Sequence, residues 1–308
     1  MNKYSEKIAI TTGDPNGIGA EITIKALNKL DLPPEKFVII SNNNILNFYG
    51  NLNKNYELLN IPYNSEIKPG SATKEGGEFS FQSLKKVCEI KPRAIVTAPV
   101  AKNALHLAGH IYNGQTEVLQ KFLAHNNQHA EMLFVAGDFR VLLLTRHCAL
   151  KDINLTKELV VEKILNLREF FKTQLNISNP KFALCGFNPH AGEDGILGKE
   201  EVEILNPAVE ELREFGVNIT NPLPADTLFV KTGKAYYSKN KMPYDCYIAN
   251  YLDQGLIPIK TVAGDKTVNM TIGLDIIRTS PGHGTAFDIA GKNIADENGM
   301  ISAITEVL

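Results

Sequence analysis

A bias of charge is what this chain most plainly lacks: 32 Lys and Arg against 34 Asp and Glu leave a formal net charge of −2 over 308 residues. The lysines are dispersed, so no basic stripe addresses nucleic acid and no acidic tail offers a solvating or interaction segment. No apolar run approaches the roughly 20 residues that span a bilayer, and residues 1–7 are polar, without the apolar centre of a signal peptide. The expectation is a cytoplasmic protein with neither nucleic acid nor membrane as partner. Cysteine is sparse as well. Cys88, Cys148, Cys185 and Cys246 lie far apart with no C-x-x-C pair, which excludes a disulfide framework and a thiolate zinc site and leaves reduced, buried thiols. The same reading extends to Cys148, although it follows His147. Repeats, low-complexity tracts and linkers are missing too. So is the dinucleotide fingerprint: glycines at 13, 17 and 19 do not have G-x-G-x-x-G spacing, and no Lys-Ser/Thr follows to make a P-loop.

What is present is an ordinary soluble composition, 44% hydrophobic and 21% charged, in a chain long enough for one large or two moderate cores. Lys7 to Thr12 reads as a strand running into a Gly-Asp-Pro-Asn-Gly turn, where Asp14 can hydrogen-bond its own backbone, and Ile18 to Leu30 as the helix behind it. Strands follow at Phe37–Ser41, Ala94–Ala98, Met132–Ala136, Arg140–Thr145 and Phe182–Phe187, the third and fourth joined by a Gly137-Asp138 turn. Helices are predicted from Lys102, from Thr156 to about Leu175, and from an Asn206-Pro207 cap to near Gly216. The stretch from Asn42 to Asn55 reads as a surface connection. Alternating strands and helices argue for a layered α/β architecture.

The polar residues that stand out lie near the C-terminus. Lys260, Asn269 and Arg278 follow one another at nine-residue intervals among apolar, β-rich runs (Leu256–Val262, Val268–Ile272, Ile276–Ile277). Buried there without a ligand, their donors would be unpaired, so they read as a grip on an anionic, oxygen-rich molecule. A glycine-punctuated loop then opens at His283. His147 and His190 each follow a predicted strand end, a place from which neutral imidazole can reach a divalent metal.

His283-Gly284-Thr285-Ala286, with Asp288-Ile289-Ala290-Gly291 behind it, resembles the NAD-binding loop of the isocitrate and isopropylmalate dehydrogenases. Four more segments keep the same order: Thr12 to Gly19, Gly114-Gln115-Thr116-Glu117, Asn188 to Glu193, and Pro224-Ala225-Asp226-Thr227. Together they resemble the 4-hydroxythreonine-4-phosphate dehydrogenase family over nearly the whole chain. The resemblance implies two α/β/α subdomains with a cleft between them, residues 1–112 with 279–308 forming one and residues 113–278, carrying the metal and dimer contacts, the other. It implies a homodimer with a shared active site and a phosphorylated small-molecule substrate. The cofactor would be NAD or NADP, held by His283, Gly284, Thr285, Ala286, Asp288 and Gly291, with a divalent metal (Zn, Mg, Mn or Co) on His147 and His190. Gln115, Thr116, Lys260, Asn269 and Arg278 would bind substrate. Asp226 and Lys260 would be catalytic.

Two positions depart from the family pattern. The histidine that precedes Asp-Gln-Gly in the family is Leu252 here, and leucine has no lone pair to give a metal. Gly-His-Thr-Glu becomes Gly114-Gln115-Thr116-Glu117, which exchanges a group able to carry positive charge for a neutral amide. Three readings follow: oxidative decarboxylation of 4-phosphohydroxy-L-threonine in pyridoxal 5'-phosphate biosynthesis; a paralogous dehydrogenase acting on another phosphorylated hydroxy acid; and a catalytically impaired protein that binds ligand without turning it over.

Overall fold

The computed structural model describes residues 2–125 and 128–308; Met1, the first residue of the polar N-terminal stretch, lies outside them. In chain order the strands are β1 (Ile8–Thr11), β2 (Phe37–Ser41), β3 (Glu57–Asn60), β4 (Ala94–Thr97), β5 (Glu131–Ala136), β6 (Phe139–Leu143), β7 (Lys181–Leu184), β8 (Asn218–Ile219), β9 (Cys246–Ala249), β10 (Val268–Ile272) and β11 (Ile277–Pro281). The helices are α1 (Gly19–Leu30), α2 (Asn43–Tyr49), α3 (Lys74–Ile90), α4 (Lys102–Leu107), α5 (Gln115–Leu123), α6 (Lys157–Gln174), α7 (Asn206–Glu214), α8 (Ala225–Tyr237), α9 (Leu252–Ala263) and α10 (Asn298–Thr305). The α/β class is as expected.

The chain forms two compact units, Met1–Ala130 with Val268–Leu308, and Glu131–Thr267. In the first, strands run in the order β3-β2-β1-β4-β11-β10, all parallel except β10, which is antiparallel to β11. Alternate side chains of each strand enter opposite layers. Ile8, Ile10, Phe37, Ile39, Ala94 and Val96 pack with α1 and α10, whereas Ala9, Val38, Ile40 and Ile95 pack with α3 and α5. Both faces are covered, as a parallel sheet requires. In the second unit the order is β5-β6-β9-β7-β8, with an antiparallel β5–β6 hairpin and parallel pairing beyond it. One face carries α8 and α9 over Val141, Leu143, Ala183 and Tyr247. On α6, Phe171 meets Phe182 of β7 edge-on, with ring centroids 5.4 Å apart.

Several expectations need correction. The boundaries at residues 112 and 278 move to 130 and 267, because Val118, Leu119 and Leu123 of α5 enter the α3 core and β10 pairs with β11. Leu256–Val262 is helix, not strand. Gly255, Ile259 and Ala263 are buried at helical spacing with Leu252 and Leu256 beside them, and the density of apolar residues there hid the period. Within the supposed surface connection, Asn42 accepts a hydrogen bond from the Asn44 amide and caps α2. Asn206 is no cap, since α7 continues from a π-helical turn at Glu201–Leu205.

Candidate active site

The β1–α1 junction is built for close approach. Gly13 has φ +71°, and a Cβ on it would lie 2.2 Å from the Pro99 carbonyl oxygen, so only glycine fits. Asp14 Oδ1 accepts from the Asn16 amide at 2.9 Å, the local turn expected from sequence. Its carboxyl group is fully buried, Oδ2 has no partner, and burial pushes its pKa up to about 6 despite backbone hydrogen bonds that favour the anion. Asn16 then ties down a neighbouring loop: Oδ1 accepts from the Lys68 amide at 2.7 Å, and Nδ2 donates to the Ser71 carbonyl and Thr73 Oγ1, each at 3.0 Å.

A polar face lies on β10 and β11. Asn269 pairs opposite Ser280 and Thr271 opposite Arg278, which puts all four side chains on one side of that ladder. Arg278 is 3% exposed, and among the described residues no carboxylate lies within ion-pair distance of its guanidinium. Nε donates to Thr97 Oγ1 at 2.8 Å, and Nη1 makes a long contact of 3.5 Å with Thr271 Oγ1. Burial lowers its pKa to about 10, with Glu117 acting in the other direction, so the group stays cationic at neutral pH. Asn269 Oδ1 is buried without a donor. Gln115 opens α5 on the same side of the unit; its Nε2 donates to the Ala98 carbonyl at 3.2 Å while Oε1 is buried and unpartnered. Thr116 is buried beside it. These four expected substrate residues share one unit. Lys260 does not: it is an exposed residue in the last turn of α9, in the second unit.

Residues 283–291 follow β11 as an irregular loop with turns. His283, Gly284, Asp288 and Gly291 are exposed, and nothing lies within 4 Å of the position a Cβ on Gly284 would take. Ala286 has φ +43° and Gly291 φ +75°. The Thr285 carbonyl accepts from the Ile18 amide at 3.1 Å, and Ala290 is buried in the core below. An anchored loop with open backbone is a surface on which a dinucleotide can lie.

The residues expected at a metal belong to the second unit. His147 and Leu252 line a cavity of 380 Å³, and His190 and Asp226 line another of 300 Å³; Tyr251 borders both. Both histidines are exposed. His190 Nδ1 contacts Glu193 Oε1 at 2.5 Å, and that hydrogen bond, aided by the charges of Glu193 and Asp226, raises the imidazole pKa. Among the described residues, no three or more His, Cys, Asp or Glu side chains are gathered as a metal would require. Leu252 instead packs against the apolar core of α8, α9 and β6. The donor set does not fit a resident metal held by protein ligands. Lys260 lines a further cavity, of 460 Å³, with Asp253 and Leu256.

The Asp253-Gln254-Gly255 motif is largely architectural. Gln254 Nε2 donates to the Gly186 carbonyl at 2.7 Å, and its Oε1 accepts from the Asn250 amide at 2.8 Å. Gly255 lets α9 sit close on β6, since a Cβ there would fall 2.7 Å from Leu143 Cδ2 and 2.8 Å from Val141 Cγ1. Upstream of it, residues His190 to Asp194 all have positive φ, from +43° to +80°, forming a left-handed turn. Buried Glu201 holds the entry to that turn by accepting from the Asn188 amide at 2.8 Å and from its Nδ2 at 2.9 Å. Sequence reasoning passed over Glu201, and also Thr97 and Thr271, whose hydroxyls meet Arg278. Threonine at or next to a strand end was the only available signal for the latter pair.

The family model described as "Pyridoxal phosphate biosynthetic protein PdxA" matches residues 8–307. A 4-hydroxythreonine-4-phosphate dehydrogenase from Sulfurihydrogenibium sp. (strain YO3AOP1) is 38% identical over 97% of this chain and 96% of its own length. A D-threonate 4-phosphate dehydrogenase from Pectobacterium atrosepticum is 33% identical over 97% and 98%. The crystal structure of 4-hydroxythreonine-4-phosphate dehydrogenase from Klebsiella pneumoniae superposes with a TM-score of 0.84 at 32% identity, covering 98% of each chain. Isocitrate dehydrogenase from Methylococcus capsulatus, at 14% identity and a TM-score of 0.52 over 98% of this chain and 85% of its own, shares the fold alone. The chain belongs to the PdxA family.

Proposed function

We propose that this PdxA-family dehydrogenase oxidises the secondary alcohol of 4-phosphohydroxy-L-threonine, passing hydride to NAD, after which the β-keto acid loses its carboxylate as carbon dioxide to give 3-amino-2-oxopropyl phosphate. Arg278 carries the reading: a buried, cationic guanidinium without a carboxylate partner calls for an anionic ligand. In this account Arg278 binds phosphate, with Asn269, Thr116 and the second Nε2 hydrogen of Gln115 contributing hydrogen bonds. Residues 283–291 receive the dinucleotide, NAD or NADP. NAD supplies the hydride acceptor, and the protein holds and orients it. Asp226, at the first turn of α8, takes the hydroxyl proton, and Lys260 contributes positive charge. A homodimer is part of the same proposal, supported by exposed Val230 and Ile257 on α8 and α9, apolar surface that a second copy would cover.

The experiment is NADH formation by purified protein with 4-phosphohydroxy-L-threonine, with chelator and with added divalent ions. Turnover supports the proposal; no turnover under any condition, with NAD still binding, overturns the catalytic part. A second reading, oxidation of another phosphorylated hydroxy acid such as D-threonate 4-phosphate, is favoured by the neutral Gln115. The same assay with that substrate separates the two.

A further inference from the structure

We infer that Glu21 and Lys25 form a clamp that positions the cofactor loop and so sets affinity for the dinucleotide without touching it. The inference rests on the reading that residues 283–291 receive NAD. Glu21 lies in the first turn of α1 and is 1% exposed. Its Oε1 accepts from Lys25 Nζ at 2.7 Å and from the Ala295 amide at 2.8 Å. Lys25 Nζ also donates to the Asn293 carbonyl at 3.1 Å and to the Ala295 carbonyl at 3.0 Å. An ammonium has three N–H donors, and these three contacts use them all. Two carbonyls and one amide just beyond Gly291 are thereby fixed by a single ion pair. At the other end of the loop, the Ile18 amide holds the Thr285 carbonyl at 3.1 Å.

Both grips come from residues 18–25, two turns of helix and its cap, so the separation of the two loop ends is set by one rigid element. Between the grips Asp288 and Gly291 are exposed, and so are His283 and Gly284 just before the first grip. Asn293 sits within the clamped segment at φ +57°, a left-handed conformation that asparagine adopts in turns. Glu21 Oε2 is buried with no donor, a cost to stability that an apolar contact in its place would not carry. Such a pair is better suited to holding geometry than to holding the fold together. If the clamp opens, only part of the population keeps the loop ready for ligand, and apparent affinity falls by that fraction while bound molecules react as before.

The test uses the full chain. Lys25→Met keeps the apolar stem and removes the ammonium; its Kd for NAD, read by titration calorimetry, should rise about 5- to 20-fold, with kcat at saturating NAD and KM for the phosphorylated substrate within about twofold of wild type. Lys29→Met, which removes the ion pair that Lys29 of the same helix makes with Glu297 ahead of α10, should leave NAD affinity unchanged. Equal losses in the two variants would show general loosening of α1 and overturn the clamp. So would an unchanged Kd in Lys25→Met. Should Lys25→Met not fold, Lys25→Arg replaces it: a guanidinium cannot bring its donors to the same three acceptors, so Kd should rise about 2- to 5-fold, and no rise overturns the inference. Failure of the wild-type protein to bind NAD would instead overturn the cofactor-loop reading, and the clamp with it.

Discussion

Replacing Asp14 with asparagine isolates the energetic cost of one buried carboxyl group. Its pKa is raised from 3.8 to about 6, chiefly because burial disfavours the anion. The folded state therefore holds a proton over a pH range in which the unfolded chain has released it, and stability falls as pH rises from about 4 to about 6. That displacement corresponds to a penalty of about 3 kcal/mol when fully developed at pH 8 and roughly 0.5 kcal/mol at pH 4. Asparagine keeps the oxygen that accepts from the Asn16 amide and cannot ionise. Its amide nitrogen would occupy the place of the unpartnered Oδ2, at a cost independent of pH that cancels between conditions. Urea denaturation of both proteins at pH 4, 6 and 8 should then show the variant gaining about 2.5 kcal/mol relative to wild type from the lowest pH to the highest. A difference that is flat within about 0.5 kcal/mol, or that runs the other way, refutes the reasoning.

Arg278→Met should raise KM for the phosphorylated substrate about 10- to 100-fold, the worth of a charge-assisted contact, with the Kd for NAD unchanged; an unaltered KM would remove Arg278 from the phosphate site. Leu252→His should create measurable binding of Zn²⁺ or Mn²⁺ in calorimetry where the wild-type chain shows weak binding or none, and equal affinities would show that position 252 does not face a metal. Gly255→Ala should lower stability by about 1–3 kcal/mol through overpacking against Val141 and Leu143, read from the urea midpoint.

The sequence alone was enough for β1, β2 and β4 of the first unit, because Ile8–Thr11, Phe37–Ser41 and Ala94–Thr97 are short apolar runs closed by turn residues. It was enough for Asp14 too, whose turn depends only on the residues that follow it. It misled at Lys260, where Leu, Ile, Pro and Val crowd a helix whose period is partly masked. It was silent on Thr97, Thr271 and Glu201, since each acts on a residue that topology, not sequence distance, brings near. Domain boundaries failed for the same reason: the side on which α5 and β10 fall depends on partners far along the chain.

The turn from His190 to Asp194 has a chemical consequence. It is a short length of mirror-image helix made from L-residues, with His190, Ala191, Glu193 and Asp194 each carrying the Cβ crowding of the wrong hand, roughly 1–2 kcal/mol apiece. A D-alanine introduced at position 191 by chemical ligation would have the handedness this backbone already follows. The substitution that would break any of the ten helices among the described residues would ease this one turn.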